Sequence, residues 1–251
     1  MVKRWFDIAF SLSLIVLTAP MLGVCAILIK LESYGPVFFL QWRMGKGFRP
    51  FLLYKLRTME TDAHGLPFTT GTDPRVTHCG RWMRRCKLDE LPQLVNVLRG
   101  EMSVVGPRPV VPEIALEFRE MYEQILRVQP GLTDPASLKY CREAELLSLV
   151  PDPVAYFKTV VTPEKLRMSA EYIGRRSAWS DAALVVQTAV AVVDAAAHPR
   201  LRQRSRHGWL WFAAPAGLPA VLHEPGFNLA ASGAGAGPAG SAAVGAPAAE
   251  V

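Results

Sequence analysis

A mostly α-helical protein with a small β-hairpin and a membrane-embedded N-terminus is what this 251-residue sequence predicts. Three observations carry that expectation. No charged side chain occurs from Ile8 to Ile29, a run of about 22 residues where about 20 suffice to cross a bilayer. Two aromatic-rich apolar stretches between Pro36 and Thr58 flank Gly45-Lys46-Gly47, the pattern of a strand pair about a tight turn. Further on, Ile114, Phe118, Met121, Tyr122 and Ile125 recur at helical spacing, so Glu113 to Arg127 is expected to form one amphipathic helix.

The N-terminal run is preceded by Lys3 and Arg4 and followed by Lys30. It is long for a cleaved signal peptide, and no small residue stands directly before Cys25 as a lipoprotein-type site would require. Pro20 sits near its middle, where it removes a helical N–H and crowds the preceding turn. Two arrangements follow: a kinked helix that spans the bilayer, or a re-entrant one that enters a single leaflet and returns. Basic residues at both ends fit the re-entrant arrangement better under the positive-inside tendency. In either case residues 1–33 are membrane-embedded.

The remainder divides at about residue 197. His64 to Gly80 is loop-like, Arg81 to Cys86 a short helical turn, and Gln129 to Pro135 punctuation. Pro163 to Gly174 and Asp181 to Ala197 are expected helices, which makes 34–197 one catalytic-sized domain. From His198 to His207 the chain is basic, with Trp209, Trp211 and Phe212 after it, a solvated tail or an interfacial anchor. From about Ala213 it is Gly/Ala/Pro-rich and holds too little apolar bulk to fold, so 198–251 is expected to be disordered.

A formal charge of +6 and a pI near 9.3 favour anionic partners: nucleic acid, acidic headgroups or phosphorylated substrates. The four cysteines, Cys25, Cys79, Cys86 and Cys141, form no CxxC pair, and His78-Cys79 with Cys86 is a poor zinc spacing. Reduced thiols are the expectation.

Chemistry concentrates in KLDELPQLVNVLRGEMSVVGPRP, from Lys87 to Pro109. On a helical wheel begun at Asp89, Leu91, Leu94, Val95 and Leu98 form one apolar stripe. Asp89, Gln93 and Asn96 fall opposite it, and Glu90 points to one flank. Pro92 is tolerated because it lies in the first turn. The simplest account makes Asp89 a helix cap and Glu90 a partner of the helix dipole. The neighbours support another. Arg81, Arg84, Arg85 and Lys87 precede the pair, and Arg108 is held between Pro107 and Pro109. Guanidinium forks grip phosphate oxygens, so carboxylates among them point to phosphoryl transfer with a divalent cation. An aspartate can attack phosphorus to give an acyl phosphate.

The segment resembles the core signature of the bacterial sugar transferases, the monotopic polyprenyl-phosphate phosphoglycosyl transferases, in their minimal form. The likeness extends over KRWFDIAFSLSLIVLTAPM, GPVFFLQWRMGKGFRPFLLYKLRTM, DPRVTHCGRWMRRCKLDELPQL and QPGLTDPASLKY. It implies transfer of a sugar 1-phosphate from a UDP-sugar to undecaprenyl phosphate, with release of UMP, at the start of exopolysaccharide, capsule, O-antigen or glycoprotein glycan assembly. It further implies a re-entrant membrane helix broken near Pro20, interfacial amphipathic helices, and a domain facing the cytosol at the bacterial inner membrane. Asp89 corresponds to the nucleophile and Glu90 to its assistant in metal binding or proton handling. Mg²⁺ would sit on Asp89 and Glu90. Arg84 and Arg108 would contact phosphate, and Lys55 and Arg57 match the basic KLR element. Membrane lipids are implied partners, downstream glycosyltransferases possible ones. Ala19-Pro20 stands where the family often has Ser-Pro, and Pro135 follows PGLTD where an aromatic or small residue is common.

Two other accounts compete. A non-catalytic membrane scaffold for glycan-assembly enzymes would use the acids only as caps. Nucleic-acid binding would explain the charge, but the basic residues surround acids instead of forming an open stripe, so no nucleic-acid partner is expected.

Overall fold

In a computed structural model, which describes residues 2–61, 73–141 and 143–197, the chain begins with a helix, α1, from Val2 to Glu32. The basic cluster from His198, the Gly/Ala/Pro-rich tail and the first part of the loop expected after His64 lie outside those residues. Among the described residues α1 is the one helix long and apolar enough to cross a membrane. Pro20 lies inside it, where it withholds the N–H that would pair with Val16. Nearby, the Thr18 hydroxyl donates back to the Leu14 carbonyl at 2.7 Å, a bond that also bends helices.

The middle of α1 turns large apolar side chains outward, among them Leu12, Val16, Leu17 and Val24. Its two ends are docked. At the start, the Arg4 guanidinium donates to the carbonyls of Val97 and Leu98 at 2.5 and 2.7 Å. The buried Asp7 carboxylate accepts from Ser103 Oγ at 3.1 Å and Val104 N at 3.0 Å. At the far end Cys25 and Ile29 pack with Leu56, Met83 and Leu88. There Glu32 accepts from the amides of His78 and Cys79 at 2.5 and 3.0 Å. Those amides open α2 (His78–Arg85), where a carboxylate complements both the orphan donors and the dipole.

The expected hairpin is present. Strands β1 (Phe38–Met44) and β2 (Pro50–Leu56) pair antiparallel, with Gln41 opposite Leu53 and Phe39 opposite Lys55. Gly47 in the connection takes φ +66, a left-handed backbone that glycine adopts without strain. Alternation along β2 carries Phe51 and Leu53 into the core and continues the same face to Lys55.

After α2 the expected helix at Asp89 does not start there. Lys87 adopts φ 55, and Leu88–Glu90 forms a single 3₁₀ turn. Pro92 cannot donate to the Leu88 carbonyl, so the chain tightens to three-residue bonds before α3 begins at Gln93 and runs to Arg99.

A second, parallel strand pair was not foreseen: β3 (Ser103–Val105) with β4 (Gly131–Thr133). A Cβ on Gly131 would lie 2.0 Å from the Gly106 nitrogen, so this close approach requires glycine. Gly131 N donates to Pro107 O at 2.8 Å and Gly106 N to Thr133 O at 3.0 Å. The Gly-Pro-Arg-Pro turn is thereby fastened to β4.

The helix expected from Glu113 to Arg127 is two helices, α4 (Pro112–Glu117) and α5 (Arg119–Ile125), broken at Phe118. The apolar stripe survives the break: Ile114, Phe118, Tyr122 and Ile125 share a cluster with Met44 and Leu166, while Met121 is exposed. Short helices α6 (Pro135–Lys139), α7 (Glu143–Leu147) and α8 (Pro153–Tyr156) follow. A π-helical turn then leads into α9 (Thr162–Arg175), and α10 spans Ala178–Ala197. Asp134, fully buried, caps α6 through Ser137 N at 2.8 Å and accepts from Ser169 Oγ of α9 at 3.0 Å.

Candidate active site

The 3₁₀ turn, the β2 strand end and the Pro-Arg-Pro turn converge. Asp89 and Glu90 are only 7% and 9% exposed, which is unusual for carboxylates without partners. Glu90 has them. Arg108 grips it with both guanidinium ends, Nη1 to Oε2 at 3.2 Å and Nη2 to Oε1. Lys55 Nζ lies 3.5 Å from the same carboxylate. Asp89 Oδ1 is buried with no hydrogen-bond partner among the described residues.

The two acids therefore differ electrostatically. Burial, then the charge of Glu90, raises the Asp89 carboxyl above the usual carboxylate range, against the pull of Lys55, Lys87 and Arg84. Burial would raise Glu90 as well, but Arg108, Lys87 and Lys55 outweigh it and hold that carboxyl well below the ordinary range. An ionised Glu90 has no proton to give near neutral pH. Its place is as the hub that fixes Arg108 and Lys55.

Of the other residues expected at the site, Arg84 is largely buried and close enough to Asp89 and Glu90 to feel their charge, while its Nε donates to Thr58 Oγ1 at 2.8 Å. Arg57 is placed elsewhere. Its guanidinium holds the C-terminal exit of α1, donating to the Tyr34 carbonyl, to Ser33 O at 2.9 Å and to Thr61 Oγ1 at 3.0 Å. Pro20 is on the exposed middle of α1, which runs unbroken through it from Val2 to Glu32.

One cation was missed. Arg43, on β1, lines a narrow pocket with Leu53, Lys55, Gln93, Arg108 and Pro109. Burial and the neighbouring Arg108 push it down to about 10. Arg43 Nη1 donates to Pro109 O at 3.3 Å and Nη2 to Gln41 Oε1 at 2.6 Å. Its sequence signal was a charge inside an otherwise apolar strand, FFLQWRM.

The arrangement is five cations around two carboxylates: Arg43, Lys55, Arg84, Lys87 and Arg108 against Asp89 and Glu90. Guanidinium and ammonium donors in such a cluster suit the oxygens of a phosphate, while Asp134 and Glu143 also act on Arg108, Asp73 on Arg84 and Glu113 on Arg43. Among the described residues no three His, Cys, Asp or Glu side chains cluster as metal ligands. The buried, unpartnered Asp89 Oδ1 beside Glu90 still fits Mg²⁺, which takes one or two carboxylates and completes its shell with water and substrate phosphate.

Residues 1–195 match the family model described as bacterial sugar transferase. Over 195 residues the chain is 42% identical to an undecaprenyl-phosphate glucose phosphotransferase of Komagataeibacter xylinus, covering 74% of this chain and 35% of that protein. It is 36% identical over 200 residues to a UDP-glucose:undecaprenyl-phosphate glucose-1-phosphate transferase of Caulobacter vibrioides, covering 74% of this chain and 67% of that one. A putative undecaprenyl-phosphate N-acetylgalactosaminyl 1-phosphate transferase of Bacillus subtilis is 48% identical over 120 residues, 47% of this chain and 67% of its own. The chain thus spans about a third of the Komagataeibacter protein and two thirds of the other two. By its sequence from end to end of the described fold, it belongs to the bacterial sugar transferase family.

Proposed function

We propose that the protein transfers a sugar 1-phosphate from a UDP-sugar to undecaprenyl phosphate in two steps, through a phosphosugar carried on Asp89. The observation that carries this is the asymmetry of the acids: one carboxylate locked by cations, its neighbour buried with an oxygen left unpaired. The Asp89 oxygen attacks the phosphorus that bears the sugar, the bridging P–O bond breaks, and UMP leaves. An oxygen of undecaprenyl phosphate then attacks the same phosphorus, releasing the Asp89 carboxylate and forming the polyprenyl diphosphate sugar.

Each step brings anions together, so the cations decide the rate. Arg108 and Lys55, held by Glu90, present fixed donors to the phosphoryl oxygens. Arg84 adds positive charge beside the nucleophile. Asp89 through its unpaired Oδ1, and Glu90 on giving up part of its Arg108 contact, would hold Mg²⁺, which when bound neutralises phosphate charge. The names of the relatives support this substrate pair, and the exopolysaccharide, capsule, O-antigen or glycoprotein glycan pathways are where such a product is used. Incubating the full chain with Mg²⁺, undecaprenyl phosphate and a panel of UDP-sugars is expected to release UMP with at least one of them. No UMP with any would rule the activity out and favour a scaffold.

The same reading places α1 in the inner membrane as a re-entrant helix, with the active site on the cytosolic face. A straight helix of 31 residues is about 46 Å long and would separate its ends by more than the hydrocarbon core. Yet α3 and β3 receive one end and α2 the other, with the Leu88–Glu90 turn between them. In a cysteine-free background, single cysteines at the exposed positions Val2 and Tyr34 should both react with an impermeant maleimide from the cytosolic side. Reaction from opposite sides would establish a span.

A further inference from the structure

Gln93 and Asn96 lie one helical turn apart on α3, both buried, and the fold treats their amides in opposite ways. Asn96 is fully engaged. Its Oδ1 accepts from Tyr54 N at 3.1 Å, and its Nδ2 donates to Leu52 O and Glu101 Oε2, both at 2.7 Å. It staples α3 to β2. Gln93 is 2% exposed, and among the described residues its Nε2 has no hydrogen-bond partner.

Burying an amide donor without a partner is costly, and a fold rarely keeps one without a reason. The surroundings supply the reason. Gln93 lines the narrow pocket whose Lys55 and Arg108 also hold Glu90, and among the described residues the other polar side chains of that pocket are Arg43, Lys55 and Arg108. All three are donors without an acceptor, and Arg43 Nε is likewise buried and unpartnered. Among the described residues no carboxylate lines the pocket. A sugar hydroxyl or a water also needs acceptors for its own protons, and the Gln93 amide oxygen and the Pro109 carbonyl, which Arg43 already uses, are few against these donors. An oxyanion brings only acceptor oxygens, and so matches a wall made of donors.

We infer that Gln93 is a substrate-contacting residue whose amide, with Arg43 beside it, donates to the oxygens of the phosphoryl group in transit. This rests on the phosphoryl-transfer function above. The chemistry is common to the UDP-sugar phosphate and to the polyprenyl phosphate, because one phosphoryl group passes between them. A group placed for its oxygens acts in both steps.

The test compares wild type, Gln93→Leu, Gln93→Glu and Asn96→Ala as full-length protein in lipid nanodiscs. Thermal melting is recorded with and without inorganic phosphate, and UMP release is measured with the UDP-sugar that wild type uses. A leucine of similar size removes an unpaired buried amide, so the ligand-free melting temperature of Gln93→Leu should hold or rise by about 2–4 °C. Its UMP release should fall on the order of 10²-fold, as for loss of one oxyanion donor. The fall should lie in kcat, with the KM values for UDP-sugar and for undecaprenyl phosphate little changed. Gln93→Glu should fall at least as far, since it sets an anion against the phosphate. Phosphate should raise the melting temperature of wild type and of Asn96→Ala but not of Gln93→Leu.

Gln93→Leu that turns over like wild type, or is still protected by phosphate, overturns the inference and leaves the transferase function standing. A KM rise for one substrate alone also overturns it, because the contact would then belong to that substrate and not to the transferred group. If wild type releases no UMP from any UDP-sugar while phosphate protection still depends on Gln93, the oxyanion pocket stands and the transferase function falls.

Discussion

Asp89→Asn is expected to lower UMP release on the order of 10³-fold or more, while melting at or above the wild-type temperature near neutral pH. The activity loss follows from removing a nucleophile, for which neighbouring groups cannot substitute. The stability effect follows from burial. Because burial and Glu90 raise the Asp89 carboxyl in the folded state, the folded protein holds that proton more tightly than the unfolded chain. Its contribution to stability is present below the ordinary aspartate value and is lost as pH rises through the raised one. At neutral pH the ionised, partly unpaired carboxylate is a net cost that asparagine relieves. The advantage of the variant should therefore largely disappear near pH 3.5, where Asp89 is mostly protonated in both states. Melting curves of the two proteins at pH 3.5 and pH 7, beside UMP release at pH 7, check both halves. A variant that loses activity because it unfolds would not support the assignment.

Arg108→Met should cost both activity and stability. It removes a guanidinium that lines the pocket, with the N–H groups that Glu90 does not take, for an expected loss on the order of 10²–10³-fold in kcat. It also strips Glu90 of its bidentate partner. Breaking a fully buried pair costs about 3–5 kcal/mol. Here the Arg108 side chain is 39% exposed and Lys55 remains 3.5 Å from Glu90, so screening reduces the expected cost to about 1–2 kcal/mol. Adding Glu90→Gln should restore most of that stability and none of the transfer, because the buried charge goes but the phosphate donors do not return. Arg108→Lys should recover charge without the fork, and so only part of the rate. Chemical denaturation and steady-state UMP release on the three variants separate these effects. Equal stability of wild type and Arg108→Met would show that the pair contributes nothing.

What could be read in the sequence was local. The uncharged run from Ile8 to Ile29 predicts α1, and Gly45-Lys46-Gly47 predicts the hairpin that β1 and β2 form. Asp89, Glu90 and Arg108 could be singled out because acids among arginines and a proline-locked arginine are visible in one dimension. What could not be read depends on distant partners. Strands β3 and β4 have three residues each, too few to show a period, and exist because Gly106 and Gly131 allow close approach. Phe118 breaks the helix expected there, while its side chain keeps its place in the core. Arg57 reads like Lys55 in KLR, and alternation alone would set both on one face, but β2 ends at Leu56 and Arg57 turns to the end of α1 instead. Gln93 and Asn96 share a face on a wheel, and the Leu52 and Tyr54 backbone together with the Glu101 carboxylate tells them apart. The wheel itself failed at Asp89, because Pro92 turned its first turn into a 3₁₀ one.

The covalent intermediate can be sought without the second substrate. The full-length protein is mixed with Mg²⁺ and the UDP-sugar it uses, without undecaprenyl phosphate, quenched, digested and mapped by mass spectrometry. A sugar-phosphate adduct on the peptide containing Asp89, a matching single burst of UMP, and loss of both in Asp89→Asn are the expected results. UMP released only when undecaprenyl phosphate is present, with the Asp89 peptide unmodified and Asp89→Asn still active, would contradict an aspartyl intermediate.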